Sequence, residues 1–173
     1  MTDGSRPESD ADHAHWTAVE EISELLHEER FHEALPLLRD ALKADPKNPY
    51  ALHLLGVALY EVGQLEPARD AYRACVGVAP NHRGARVHLS HVLRELGDLR
   101  GAIKEGLDAL SRFPDDGDAM HAVGLAYLAR GDGAAAKKYL EAYLRTNPEF
   151  EAATEVRTLL AGLELDVEKK DLS

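Results

Sequence analysis

One spacing dominates this chain: residues of the same kind recur every 34 positions. The recurring positions are Pro46, Pro80, Pro114 and Pro148; Ala34, Ala68, Ala102 and Ala136; Gly63, Gly97 and Gly131; and Gln64, Asp98 and Asp132. Several independent columns that share one period are the sequence signature of a repeat architecture, in which each repeat is one supersecondary unit. The period therefore predicts a stack of similar units.

Each recurring column has a physical reason. Proline lacks an N–H and disfavours helix in the residue before it, so it separates one helix pair from the next. The glycine can take the left-handed backbone conformation that a short turn needs after the first helix, helix A. The alanine lies in the second helix, helix B, where the two helices cross closely. We expect Ala68 and Ala136 to be buried against Gly56 and Gly124 of helix A.

The period and the residue types resemble the tetratricopeptide repeat (TPR), over about residues 15–148. The resemblance implies an all-α, right-handed superhelical solenoid of antiparallel helix pairs. Within residues 14–148 we expect four repeats, at about 15–48, 49–82, 83–116 and 117–148. The expected helix pairs are 15–28 with 31–44, 49–62 with 65–78, 83–96 with 99–112, and 117–130 with 133–146.

The two ends of the chain are expected to differ from the repeats. A capping helix over 149–166 covers the apolar side of the last repeat, as terminal units of a solenoid do. Residues 1–13 are expected to form a disordered acidic tail and residues 167–173 a charged tail.

Repeats one and three depart from the pattern. Repeat one has Glu21 at a position that normally packs on a preceding repeat, Glu29 in place of the turn glycine, and Pro36 inside helix B. We therefore expect repeat one to be an N-terminal cap. Repeat three has Gly101 and Gly106 within helix B, and glycine in a helix costs about 0.5–1 kcal/mol relative to alanine. Repeat three is expected to be the least stable.

Composition and charge limit the classes of function. The formal net charge is −11, which repels nucleic acid over most of the surface. No apolar run approaches the roughly 20 residues needed to cross a bilayer, and the first residues do not resemble a secretory signal. A single cysteine, Cys75, excludes an internal disulfide framework and is expected to be core filler. The prediction is a cytoplasmic protein that binds neither nucleic acid nor membrane.

The TPR resemblance places the A helices on the concave side of the solenoid, where they form a groove. The candidate partner-binding residues of this groove are Trp16, Tyr50, His53, Tyr60, His88, His91, Arg94, His121, Leu125 and Leu128. Aromatic, histidine and apolar side chains together are typical of a protein-binding surface. The alternative is that several of these residues only pack against neighbouring helices.

No catalytic arrangement, metal site or cofactor is expected. His88 and His91 share a helix face, and His53 and His121 flank them, so a zinc-like site is conceivable. However, no cysteine accompanies them, and adjacent helices lie about 10 Å apart. Many TPR co-chaperones bind a carboxylate with Lys, Asn and Arg on successive A helices, and the corresponding positions here do not supply that clamp.

The predicted function is a protein-interaction adaptor that binds a peptide or protein segment in the groove, and not an enzyme. The alternatives are a self-assembling scaffold, which leaves homo-oligomerisation open, and a secretion-type chaperone, which rests on size and layout alone. Four groove histidines and Arg94 suggest an acidic partner segment, because unperturbed imidazoles become cationic near pH 6.5. Lowering the pH from about 7.5 to 6 is then expected to tighten binding.

Overall fold

The structure is a computed structural model that describes residues 10–171, with side chains described for residues 10–165. Over residues 10–171 it contains helices and no strand. The helices are α1 Asp10–Thr17, α2 Glu20–His27, α3 Phe31–Ala44, α4 Pro49–Glu61, α5 Leu65–Val78, α6 Arg83–Glu95, α7 Leu99–Arg112, α8 Gly117–Arg130, α9 Gly133–Leu144 and α10 Phe150–Asp171. The A helices are α2, α4, α6 and α8, and the B helices are α3, α5, α7 and α9. The chain is an all-α helical repeat solenoid.

Polar side chains cap the start of α4 and of each helix from α6 to α9, and residues with positive φ follow the A helices of repeats one, two, three and four. Asn48 accepts hydrogen bonds from the N–H groups at the start of α4, and Asp116 does the same at the start of α8. The turn glycines have positive φ as predicted: +77° at Gly63, +83° at Gly97 and +84° at Gly131. Repeat one forms the same turn with Glu29 at φ +58°, although a non-glycine residue is strained there.

The arrangement of helices shows which side of the solenoid is concave. The Cα atoms of successive A helices come within 8 Å of one another, from α2 to α4, α4 to α6 and α6 to α8. Within the described range, successive B helices do not approach in this way. A curved stack brings together the elements on its inner side, so the A helices line the concave surface.

The first predicted helix, over 15–28, is two helices in the structure. The Val19 N–H bonds to the carbonyl of Trp16, which breaks the regular pattern and frees the carbonyl of His15. The side-chain amide of Asn48 donates to that carbonyl at 2.8 Å. The break therefore lets α1 lie against the start of α4. Residues 10–13, expected in the acidic tail, belong to α1, and residues 1–9 lie outside the described range.

The C-terminal helix packs on the last repeat as a cap but is longer than the predicted range 149–166. It runs to Asp171, so its backbone includes most of the predicted charged tail, and residues 172–173 lie outside the described range. Val156 is fully buried against Leu140 and Tyr143 of α9. Lys137 of α9 pairs with Glu164 at 2.9 Å.

The contact between the two helices of a repeat takes two forms. The repeating alanines are fully buried, as predicted. The side chain closest to Gly56, however, is Tyr72, and the one closest to Gly124 is Leu140. Tyr72 and Leu140 are large residues of helix B, one turn after the alanine. A side chain in place of the helix A glycines would overlap with them. Repeat three has small residues at both positions, and there Gly106 of α7 is approached by Val123 of α8.

Candidate functional site

The N-terminal end of the concave surface is aromatic. The rings of Trp16 and Tyr50 meet edge to face, with their centroids 5.4 Å apart. Tyr50 is buried, whereas Trp16 is half-buried. The two predicted residues therefore join α1 to α4, and part of the Trp16 ring remains accessible to a partner.

Three histidine rings lie together: His53 on α4, His82 just before α6 and His88 within α6. The Nε2 atom of His53 and the Nδ1 atom of His88 are 3.1 Å apart, and the two rings are stacked at 5.1 Å. His82, which accepts a hydrogen bond from the Ala85 N–H, lies with its ring centroid 4.6 Å from that of His53. Gly84 leaves space for this group, since a Cβ there would lie 3.3 Å from His53 Nε2.

Burial keeps His53 neutral. It lowers the pKa of His53 well below the ordinary value, and the adjacent His82 and His88 lower that pKa further. A bond between two imidazole nitrogens also requires one donor and one acceptor, so the pair cannot carry two full charges and keep the bond.

A second histidine pair joins α6 to α8. The rings of His91 and His121 are 6.0 Å apart, and His121 stacks on Tyr143 of α9 at 4.7 Å. Burial, followed by the neighbouring His121, lowers the pKa of His91 to about 4. Burial also lowers the pKa of His121, although the charges of Glu155 and Asp118 act to raise it.

The structure does not support the predicted acid response of His53 and His91. His53 and His91 remain neutral between pH 7.5 and 6, so the concave surface gains no positive charge from them in that interval. The prediction assumed rings exposed in a groove. In the structure the rings pack on one another and on Tyr72 and Tyr143 of the B helices.

Within the described residues no group of three or more His, Cys, Asp or Glu side chains could hold a metal ion. The ring nitrogens of His53 and His88 that face each other are already joined by a hydrogen bond. The arrangement is one of packing and hydrogen bonding.

A hydrogen bond links the A helices of repeats two and three. The Tyr60 hydroxyl donates to Glu95 Oε1, and a terminal nitrogen of Arg94 lies 3.5 Å from the same oxygen. Burial and then this hydrogen bond raise the pKa of Tyr60 to about 12. Two of the predicted residues, Tyr60 and Arg94, are thus brought to one carboxylate.

The two predicted leucines lie toward the C-terminal end of the surface. Leu125 packs against a buried cluster of Leu140, Tyr143 and Val156, to which α10 contributes Val156. Leu128 is half-buried on α8. Leu125 therefore belongs partly to the packing of the cap.

His82, Tyr72 and Tyr143 are not among the residues predicted from the sequence. Tyr72 and Tyr143 lie on the B helices, yet their rings reach histidines of the A helices. His82 follows Asn48 at an interval of 34 residues and precedes Asp116 at the same interval, and both of those residues cap helices. That column could have identified His82 as a helix cap.

Cys75 is a core residue. Its side chain is fully buried, and Sγ donates to the Pro49 carbonyl at 3.2 Å. Burial raises the pKa of the thiol to about 12, so it is not poised as a nucleophile.

A shallow cavity of about 500 Å³ lies between α1 and the end of α3. Alanine side chains form most of its wall, and the ion pair of His15 with Asp45, at 3.0 Å, lies beside it. None of the ten candidate residues lines it. No described helix combines the length and the apolar character that a bilayer span requires.

Two sequence profiles described as tetratricopeptide repeat match residues 25–89 and 87–149 of the chain. A probable UDP-N-acetylglucosamine–peptide N-acetylglucosaminyltransferase SPINDLY of Hordeum vulgare is 33% identical over 78 residues, which are 43% of this chain and 8% of that protein. The chain thus spans only a small part of this relative.

Solved structures share the fold. PilF of Pseudomonas aeruginosa superposes with a TM-score of 0.77 at 22% identity, covering 93% of this chain and 72% of that chain. YrrB, described as a TPR protein with an unusual peptide-binding site, superposes with a TM-score of 0.72 at 21% identity, covering 84% of this chain and 75% of that chain.

Proposed function

This chain belongs to the tetratricopeptide-repeat family, and from that premise we propose that it is a non-enzymatic adaptor that binds a protein or peptide segment along its A helices. A role in protein interaction follows from the family and the fold. The concave groove as the place of binding is the finer part of the proposal.

One observation carries the choice of the groove. Half-buried aromatic, histidine and apolar side chains continue along the concave surface from Trp16 on α1 to Leu128 on α8. Such side chains are already partly ordered by their neighbours, so binding costs less conformational entropy than at a surface of free side chains. The peptide-binding site described for YrrB supports the same use of this fold.

The alternatives have less support. Among residues 10–165, the large apolar side chains that are exposed are Leu37, Val78, Phe150 and Leu165, and they lie on three different helices. They do not form one obvious surface for self-assembly, although light scattering at several concentrations tests it. The secretion-type chaperone still rests on size and layout. The prediction of an acidic partner segment loses its main support because His53 and His91 stay neutral. The cytoplasmic location stays a prediction.

Site-specific photo-crosslinking in cells of the source organism tests the groove. A photoreactive amino acid replaces Val57 or Leu128, which are half-buried on A helices. Matched controls carry it at Leu37 or Val78, which are 47% and 41% exposed on B helices.

We expect a discrete crosslinked protein from the two groove positions and not from the two controls. Crosslinks confined to Leu37 and Val78 would contradict the groove, and a product of twice the mass of the chain from any position would favour the scaffold.

A further inference from the structure

The fixed charges of the concave surface are mainly acidic. With His53 and His91 neutral, Arg94 is the one permanent cation among the ten candidate residues. The carboxylates beside them are Glu61, Glu95, Asp118 and Glu155. The polarity of this surface is therefore opposite to the one expected from its histidine content.

These carboxylates lie at two places on the surface. Glu61 and Glu95 both act by their charge on the Tyr60 hydroxyl, near the ends of α4 and α6. Asp118 and Glu155 both act by their charge on the His121 ring, at the start of α8 and on α10. Glu164, nine residues after Glu155, lies on the opposite face of α10 and pairs with Lys137 of α9. Glu155 therefore lies on the face of α10 that is turned toward the A helices.

The single guanidinium does not balance them. Arg94 lies 3.5 Å from Glu95 and offsets that charge. Glu61, Asp118 and Glu155 are exposed, and none forms an ion pair with another described residue. Three carboxylates thus remain available to a cationic ligand, one near Tyr60 and two near His121.

Apolar surface separates the two acidic places. Val57 and Tyr60 lie beside the first, and Leu125 and Leu128 lie on α8, seven and ten residues after Asp118, all four half-buried. A ligand that reaches both places must cross two steps between A helices, each about 10 Å. It must also move about 16 Å along the helix axes, since Glu61 ends its helix and Asp118 begins its own. The path is about 25 Å, or about eight extended residues.

We propose that the segment this groove takes is basic: it carries Lys or Arg side chains about eight residues apart, with apolar or aromatic side chains between them. The proposal rests on the groove being the binding site. Opposite charges on the two partners give specificity and a faster association, and both weaken with added salt. The apolar residues between them supply the burial that exposed ion pairs alone do not.

A selection from random twelve-residue peptides displayed on phage, with the whole chain immobilised, tests the proposal without a known partner. Enriched peptides are synthesised and their Kd is measured by fluorescence anisotropy. The groove charge variant is Glu61→Gln with Glu155→Gln. Its matched control is Glu66→Gln with Asp40→Asn, which removes the same charge from the B helices. Circular dichroism verifies that each variant is folded.

A second pair of variants separates the charge of the ligand from the place where it binds. Val57→Gln with Leu128→Gln removes apolar groove surface, and Leu37→Gln with Val78→Gln is its control on the B helices. All four variants are assayed against each enriched peptide.

We expect the enriched peptides to be basic. Their Kd should rise about five- to tenfold with the groove charge variant and less than about twofold with its control. If the enriched peptides are acidic or uncharged and bind the Val57→Gln, Leu128→Gln variant more weakly, the proposal of a basic ligand is wrong. Binding in the groove is then still supported. Basic peptides that weaken equally with both charge variants also overturn the proposal, since they then respond only to net charge. Peptides that bind both groove variants as tightly as the unchanged chain, or no enrichment at all, overturn the proposal and the groove function together.

Discussion

Repeats two and four pack their two helices differently from repeat three. In repeats two and four a glycine of helix A lies under a large side chain of helix B, Gly56 under Tyr72 and Gly124 under Leu140. In repeat three the glycine is on helix B, at Gly106, and the side chain that comes closest to it is Val123 of repeat four, with the Ser90 hydroxyl of repeat three farther away. The space beside the glycine is therefore filled by a side chain of the same repeat in repeats two and four. In repeat three it is filled mainly by a side chain of repeat four.

This difference bears on how independent the repeats are. Repeat two can complete this contact with its own residues, whereas repeat three depends on α8 for it. Coupling between neighbouring units makes a repeat stack unfold cooperatively. We expect the boundary between repeats three and four to be the more strongly coupled one.

Gly56→Ala should have the largest effect on stability, because it adds a methyl group to the close contact between the two helices of repeat two. A Cβ at this position would lie 2.4–2.8 Å from three atoms of the Tyr72 ring. We expect a loss of about 2–3 kcal/mol in the free energy of unfolding, measured by urea denaturation. Gly77→Ala in α5, where an added Cβ would meet no side chain and no backbone of another helix within 4 Å, is the control and should stabilise by about 0.5–1 kcal/mol. An equal, small effect of both substitutions would mean that the two helices of repeat two are not in close contact.

Gly106→Ala sharpens the comparison by testing the boundary between repeats. A Cβ here would lie 2.5 Å from Cγ2 of Val123, which belongs to α8. We expect a loss of about 1–2 kcal/mol in the original chain. In a Val123→Ala background the same substitution should cost at least about 0.5 kcal/mol less, because the two sites share one space. Additive effects in the double-mutant cycle would remove the inferred dependence of repeat three on repeat four.

Acid offers a third test, which compares the folded and unfolded states of the buried histidines on the A helices. The lowered pKa values of His53 and His91 stabilise the folded state while the rings are neutral, above their unfolded pKa of about 6.5. This contribution is lost as the pH falls below about 6.5, and for His91 the loss continues down to about pH 4.

The measurement compares urea unfolding of the original chain and of His91→Gln between pH 6.5 and 5. We expect the original chain to lose about 1 kcal/mol more than the variant across this range. Equal losses would show that His91 is protonated as readily in the folded as in the unfolded chain.

Ser90→Ala tests the polar part of the contact in repeat three. The Ser90 hydroxyl donates to the Ala102 carbonyl at 2.8 Å, and Ser90 is fully buried. We expect a loss of about 0.5–1 kcal/mol, since the carbonyl keeps its place in the α7 helix. A neutral result in thermal unfolding would mean that shape alone sets the packing at this position.

The sequence predicted the helices well because the 34-residue columns act locally. Pro80 and Gly63 set the backbone in their own turns, so the A and B helices are found where the period places them. The break before Val19 was not predictable in this way, since it depends on Asn48, which is 33 residues away from its partner His15.

The sequence predicted where the histidines of the candidate site lie but not that His53 and His91 are held neutral. His53 and His91 lie on the A helices as expected, yet their neutrality comes from rings that only the folded chain brings to them. The space beside His53 exists because residue 84 is glycine, and the wall behind it is Tyr72 of another helix. The periodicity of a single helix contains neither fact. The binding role of the ten candidate residues stays a prediction.

Trp16 is the one tryptophan of the chain, and it lies at the N-terminal end of the solenoid with its ring against Tyr50. Its fluorescence therefore reports the order of α1 and the start of α4, whereas circular dichroism averages over all the helices. Recording both signals along one denaturation curve distinguishes fraying at this end from the melting of the whole stack, without any label attached to the protein.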